Sequence, residues 1–327
     1  MATASAPLDL LDDSARGLTR AGPPPRGSAA MKAILRPEPF SDPDWVFERK
    51  LDGVRAIAVR NDGATHLWSR NDLSLDGRYP ELIGALDRAP AARFAVDGEV
   101  VAFDGAQTSF EKLARRGREP VPVFLYVFDV LWIEGVDVRG LDLLTRKRLL
   151  RATLQFGGPI RFTAHRNTDG EKLLREACAK GWEGLVAKRR ESTYAATRSR
   201  DWLKLKCTHG QELVVGGFTA PRRSRLEFGA LLVGYYRSGE LVYAGKVGTG
   251  FDTATLHDLG QQMRALRVDS SPFANRHEIR ERDVTWIEPQ LVAQIGFSEW
   301  TRDGRLRHPR YLGLRDDKAP RDVVRES

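Results

Sequence analysis

Hydrophobic and polar positions along the chain change period several times, and each change marks an element. Val54, Ile57 and Val59 lead into Asn61-Asp62-Gly63, and a second short run follows from Thr65 to Trp68. That order predicts a strand, a tight hairpin turn and a returning strand. Tyr79, Leu82, Ile83 and Leu86 recur at helical spacing. Residues 94–103 return to strand composition, interrupted by Asp97-Gly98, and 121–132 (VPVFLYVFDVLW) is apolar at almost every position, as expected of a strand buried on both faces. Thr168 to Glu171 reads as a capping box that opens a helix through Leu173, Leu174 and Ala177, with Gly181 placed to end it. Strands at 184–188 and 202–206 follow.

Cys207-Thr-His-Gly210 reads as a linker. Beyond it come strands at 212–218, 230–236 and 241–247 and one helix carrying Leu256, Leu259, Met263 and Leu266. Short strands with one inserted helix predict a five-stranded OB-type barrel. The expected class is α+β. Residues 1–30 are a flexible leader, 31–209 a mixed domain of antiparallel sheets and helices, 210–320 an OB-fold β-barrel, and 321–327 a C-terminal tail.

A length of 327 residues with 41% hydrophobic content suits two packed domains. Of the residues, 29% are charged and the net charge is +8, so the excess is basic and favours a polyanionic partner over a neutral one. A merely solvated, arginine-rich surface is the competing reading. Cys178 and Cys207 are the only cysteines. They exclude a four-cysteine zinc site, supply no disulfide framework, and fit a reducing cytoplasm. The first 30 residues hold Asp9, Asp12 and Asp13 and no apolar run suited to a signal peptide, and no stretch approaches the length of a membrane span.

The densest chemistry lies at Lys50-Leu-Asp52-Gly53-Val-Arg55. A neutral lysine amine attacks phosphorus well, but an ordinary lysine is protonated at pH 7, so it needs neighbouring cations or desolvation to lower its pKa. Arg55 is close in sequence. Lys204 and Lys206, two apart on a predicted strand, share a face and can add positive charge. Asp52-Gly53 supplies a turn that brings Lys50 and Arg55 to one pocket. Without partners, a lysine beside Asp-Gly is better read as part of a solvated hairpin.

The partners are present, and the sequence resembles the covalent nucleotidyltransferases, which include ATP-dependent DNA ligases, RNA ligases and mRNA capping enzymes. Lys50 to Arg55 resembles their first motif. In the family's order follow Ser69-Arg70-Asn71, Asp97-Gly98-Glu99, Tyr126-Val-Phe128-Asp129, Glu183-Gly-Leu-Val-Ala-Lys188, Lys204-Leu-Lys206 and RYLGLRDDK at 310–318. The resemblance spans about residues 31 to 320 and implies a nucleotidyltransferase domain, ATP-grasp-like and mixed α/β, followed by an OB domain. It implies that Lys50 carries AMP and that Arg70 contacts the phosphate or sugar region. Glu99 serves the ribose or a metal, Phe128 stacks on the purine, and Glu183 serves a divalent metal, Mg²⁺ or Mn²⁺. Lys204 and Lys206 hold the α-phosphate, Lys188 belongs to the nucleotide site, and Arg315 and Lys318 orient pyrophosphate. Seen singly, Glu99 and Glu183 are ordinary strand-end acids and Phe128 is core; it is the ordered set that changes these readings.

Glu48, two residues before Lys50, matches a carboxylate that in the DNA ligases accepts from the adenine amino group, which favours ATP over GTP. Residues 187–206 hold seven Lys or Arg against two acids. Arg189, Arg190, Arg198, Arg200, Arg222 and Arg223 are candidate contacts to DNA phosphates. Within the family, the likeness is to small bacterial ATP-dependent DNA ligases and to the ligase module of bacterial end-joining ligases. The implied partner is nicked duplex DNA, with a Ku-type end-binding protein as a candidate recruiter and a cytoplasmic, nucleoid-associated monomer as the expected form. An RNA ligase or guanylyltransferase of the same superfamily and a non-catalytic OB-type DNA-binding scaffold are the rivals.

Overall fold

A computed structural model describes residues 6–207, 209–221 and 227–326. The chain divides into two compact units, Met1–Cys207 and Thr208–Ser327.

The first unit holds two large sheets. In one, the strands run in the order Arg20–Ala21, Val136–Asp137, Phe124–Ile133, Phe94–Val101, Val54–Asn61 and Ala64–Ser69, with Ile160–Phe162 parallel to Phe124–Ile133. The predicted hairpin is there, with Asp62 and Gly63 at φ 51° and 78°, the left-handed pair that a two-residue turn of the right twist requires. The other sheet has the order His165–Arg166, Trp45–Lys50, Gly184–Arg189, Arg198–Lys206 and Lys32–Leu35. Its three central strands are antiparallel. Trp45, Phe47, Leu185, Ala187, Leu203 and Leu205 are buried on one face against Leu173 and Ala177 of the Gly170–Ala179 helix. Side chains alternate along a strand, so the residues between them, Glu48, Lys50, Lys188, Lys204 and Lys206 among them, share the opposite face.

Three expectations are corrected here. Residues 6–30 are part of the fold rather than a flexible leader. Leu11 lies in the core, Arg20–Ala21 pairs with Val136–Asp137, the Trp132 indole donates to Gly22 O at 2.7 Å, and Ala30 and Met31 are fully buried. Pro, Gly and Ala look like linker composition, yet backbone pairing and a few apolar anchors suffice to order the segment. The helix expected from a Thr168 capping box begins one residue later, because it is the Asp169 carboxylate that accepts from Lys172 N at 2.9 Å. The two cysteines are joined: Cys178, near the end of that helix, and Cys207, just past the Arg198–Lys206 strand, form a disulfide with their Cα atoms 5.2 Å apart. Cysteine number alone could not place them side by side.

A helix that the pattern does not announce spans Leu143–Thr153. Its buried face includes Arg146 and Lys147 as well as Leu143, Leu149 and Leu150, so the apolar stripe is broken by charge. Arg146 is compensated by Asp129 at 2.8 and 3.0 Å.

The second unit is an antiparallel sheet with one inserted helix, Thr253–Ala265, capped by Asp252. The long strand His209–Thr219 is central. One edge pairs with Leu231–Arg237, which continues to Glu240–Val247, while the other is shared by Val292–Phe297 and Val284–Ile287. Arg310–Leu314 extends the sheet beyond Val292–Phe297. This is an OB-type arrangement, although among the described residues no pairing closes the sheet into a barrel. The expected tail is docked: Val323 is buried and its carbonyl accepts from Tyr236 N at 2.7 Å.

Candidate active site

Strand register assembles the site. Lys50 is paired with Gly184, and Gly184 with Lys206, so the three lie in one row across the sheet. The next row is Glu48, Val186 and Lys204, and the one after it is Val46, Lys188 and Trp202. Gly184 fits a crowded crossing, since a Cβ there would come within 2.0 Å of Leu205 O. Gly53, in the turn after Lys50, is similarly pressed, since a Cβ there would come within 2.1 Å of Val100 O. The Asp52 carboxylate accepts from Phe110 N at 3.1 Å, which anchors that turn.

Lys50 Nζ sits 2.5 Å from Glu183 Oε1. Burial would lower the amine's pKa, but the Glu183 carboxylate, with help from Asp52 and Glu99, outweighs it and holds Lys50 more firmly protonated than an ordinary lysine. The expectation of an amine depressed by Arg55, Lys204 and Lys206 is therefore corrected for this state of the molecule. Arg55 is occupied elsewhere. Its guanidinium binds the buried Asp97 through Nε and Nη2 at 2.6 and 2.5 Å, donates to Met31 O at 3.1 Å and lies 4.8 Å over the Phe128 ring. The Tyr194 hydroxyl donates to the same Asp97 at 2.5 Å and accepts from Met31 N at 2.9 Å.

Phe128 is the extra residue of a β-bulge, because Asp97 pairs with Asp129 and Gly98 with Val127. Bulges re-aim side chains. Here the ring joins Trp202, edge to face at 6.0 Å, beneath Lys188, whose ammonium is 4.3 Å from the Phe128 centroid and 3.9 Å from that of Trp202.

Glu48 is buried between two lysines, with Lys147 Nζ 2.5 Å from Oε1 and Lys188 Nζ 2.8 Å from Oε2. Burial raises its pKa, yet the two ammonium groups win and hold it below the usual carboxylate range. Burial brings Lys188 down to about 8 against the pull of Glu48. Despite these ion pairs, Glu48 Oε1 and Lys188 Nζ lack a hydrogen bond of good geometry.

Glu99 lies opposite Arg55 on the neighbouring strand and acts electrostatically on Lys50. Glu183 Oε2 is enclosed with no hydrogen-bond partner, which leaves an acceptor for a cation. Among the described residues no three His, Cys, Asp or Glu side chains converge into a closed metal site. Arg70 follows the Ala64–Ser69 strand, and its Nε is likewise enclosed without a partner.

The other candidates are dispersed. Arg189 pairs with Asp201 at 3.2 Å, Arg190 donates to Pro43 O, Arg198 donates to Ala33 O, and Arg200 lines an open cleft of about 450 Å³ with Arg36 and Trp45; all four are exposed. Arg222 and Arg223 lie outside the described residues. In the second unit, Arg315 binds Asp317 through two 2.8 Å hydrogen bonds and Lys318 pairs with Glu212 at 2.7 Å. Sequence reasoning missed Tyr194 and Lys147 as parts of the site. No motif marks Lys147, while Tyr194 stands in the basic 187–206 segment that was read only for its charge.

Residues 29–206, more than half of the chain, match the family model described as ATP dependent DNA ligase domain. The chain belongs to the ATP-dependent DNA ligase family. Residues 224–318 match the model of the ATP dependent DNA ligase C terminal region. A relative from Pseudomonas aeruginosa, the multifunctional non-homologous end joining protein LigD, is 39% identical over 298 residues, covering 86% of this chain and 35% of that protein. The multifunctional non-homologous end joining DNA repair protein LigD of Mycobacterium tuberculosis is 35% identical over 288 residues, covering 86% and 37%. The chain thus spans about a third of the length of these curated relatives. A solved structure described as mycobacterial DNA ligase D complexed with ATP and MES is 33% identical, with a TM-score of 0.65 over 91% of this chain and 98% of that one.

Proposed function

We propose that this ligase uses Lys50 to take AMP from ATP and pass it to a 5′-phosphate, sealing breaks in duplex DNA during end joining. The row Lys50, Gly184, Lys206, with Glu183 against the Lys50 amine, is the observation that carries this reading. The end-joining names of the relatives support the setting.

In the first step Lys50 Nζ attacks the α-phosphorus, the bond to the pyrophosphate oxygen breaks, and the amine gives up its protons to solvent. Glu183 holds that amine protonated, so their pairing must loosen before attack. Lys204 and Lys206 stabilise charge on the α-phosphate, Arg70 meets the sugar or phosphate, and Arg315 and Lys318 assist the departure of pyrophosphate. Glu183 and Glu99 would hold a divalent ion, Mg²⁺ or Mn²⁺, whose chemistry is charge neutralisation on the phosphates. A 5′-phosphate oxygen then attacks the lysine-bound AMP and frees Lys50. Finally the 3′-hydroxyl attacks that 5′-phosphorus and expels AMP.

Glu48 Oε1 and Lys188 Nζ offer an acceptor and a donor side by side, complementary to the amino group and N1 of adenine. Guanine presents an oxo group and an N–H there, and mismatches both. Phe128, beneath Lys188, supplies the aromatic surface of the base site. Arg189, Arg190, Arg198, Arg200, Arg222 and Arg223 are assigned to DNA phosphates. A Ku-type end-binding protein is the proposed recruiter, and the nucleoid the proposed place of action. Nicked DNA and nicked RNA, each supplied with ATP or GTP, test the reading in one gel. ATP-dependent sealing of DNA supports it, while sealing of RNA alone selects the RNA-ligase rival.

A further inference from the structure

Both oxygens of Glu48 are engaged by lysines that arrive from different elements. Lys188 stands in the next row of the same sheet face, on the neighbouring strand, whereas Lys147 comes from the Leu143–Thr153 helix. Lys147 is buried, with only 3% of its side chain exposed, and it is anchored independently of Glu48. Its ammonium donates to Thr163 O at 3.2 Å and lies 5.0 Å over the Phe162 ring. His165, paired in register with Glu48, and Arg151, over the same Phe162 ring, are further charged or titratable neighbours, and burial with Lys147 keeps the His165 imidazole less readily protonated than usual. A buried lysine is costly, and helix packing alone would be met as well by methionine.

We propose that Lys147 is a positioning residue for base selection: it fixes the Glu48 carboxylate in the orientation and the ionised form that accept the adenine amino group and reject guanine. The proposal rests on the reading of Glu48 given above. An ionised carboxylate only accepts, so it repels the guanine oxo group; a protonated one would donate to that same oxygen. With Lys147 on Oε1 and Lys188 on Oε2, the carboxylate cannot rotate freely, and each oxygen keeps a second lone pair for the base. Lys147 need not touch the nucleotide.

The test uses the full chain and follows transfer of AMP from ATP and GMP from GTP to Lys50, with kcat and KM measured separately. Lys147→Met should raise KM for ATP and shrink the ATP-to-GTP ratio of kcat/KM by roughly tenfold, leaving kcat for ATP nearly unchanged. Lys147→Arg, which keeps the charge, should recover most of the ratio. Circular dichroism and Tm report folding, and Lys147→Gln is read in the same way if the methionine variant does not fold. A folded variant that loses both activities in equal proportion, or keeps the wild-type ratio, overturns the proposal. Glu48→Gln separates the two levels of argument. If it leaves the ratio unchanged, the reading of Glu48 itself fails; if it shifts the ratio while the Lys147 variants do not, only the role of Lys147 fails.

Discussion

Lys50 Nζ and Glu183 Oε1 lie 2.5 Å apart, and this contact reverses the effect that burial alone would have on the Lys50 amine. The carboxylate therefore holds the amine protonated. Glu183→Gln removes the charge while keeping the shape, so the Lys50 amine should titrate at lower pH than in the unaltered chain. The pH dependence of Lys50 modification by an amine-reactive reagent, resolved by peptide mass spectrometry, measures this. An unchanged or higher titration point in Glu183→Gln contradicts it.

Lys188 makes stability depend on alkaline pH. Burial brings its folded pKa down to about 8, below the 10.5 of an ordinary lysine, so between these values the unfolded chain binds more protons at this position than the folded one. Its contribution to folding free energy therefore rises with pH across that window and has no slope below it. The expected gain is about 3 kcal/mol at most. Urea unfolding at pH 8 and pH 10 should show this rise in the unaltered chain relative to Lys188→Met. Parallel pH profiles for the two proteins would exclude it.

The Cys178–Cys207 disulfide closes a separation of 29 residues. Loop-closure entropy puts its stabilisation at about 3–4 kcal/mol, and reductant should lower the urea midpoint accordingly. Cys178→Ser should start at the reduced value and not respond to reductant. Two reactive thiols in the unreduced, denatured chain would show that the bond does not form.

Tyr194→Phe deletes the hydroxyl that joins Asp97 to Met31 N. Leaving these buried groups short of a partner should cost about 1–3 kcal/mol. Because Arg55 binds the same carboxylate, AMP transfer should slow as well. Thermal unfolding and single-turnover adenylation check both effects; a variant with unaltered Tm and rate would remove Tyr194 from the site.

The sequence announced those elements whose pattern follows from a single face. The hairpin at Asp62-Gly63, the buried strand ending near Trp132, and the Lys204/Lys206 alternation were legible because period and turn chemistry are local. The Leu143–Thr153 helix was not, since two of its buried positions are cations neutralised by Asp129 and Glu48, residues far away in sequence. Residues 6–30 were misread for a related reason. Their order depends on the edge offered by Val136–Asp137, on an indole hydrogen bond and on buried anchors such as Leu11 and Ala30, which composition cannot show. Ordered motifs located Lys50 and Glu183, but only the coordinates show that they meet and that the carboxylate raises the Lys50 amine's pKa.

The covalent AMP on Lys50 is the most direct test of the whole account. Incubation with ATP labelled at the α-phosphate, followed by peptide mapping, should place the label on Lys50 and nowhere else, and adding nicked DNA should discharge it onto the 5′-phosphate. Label on another residue, or undiminished label in Lys50→Ala, would contradict the assignment of Lys50 as the nucleophile.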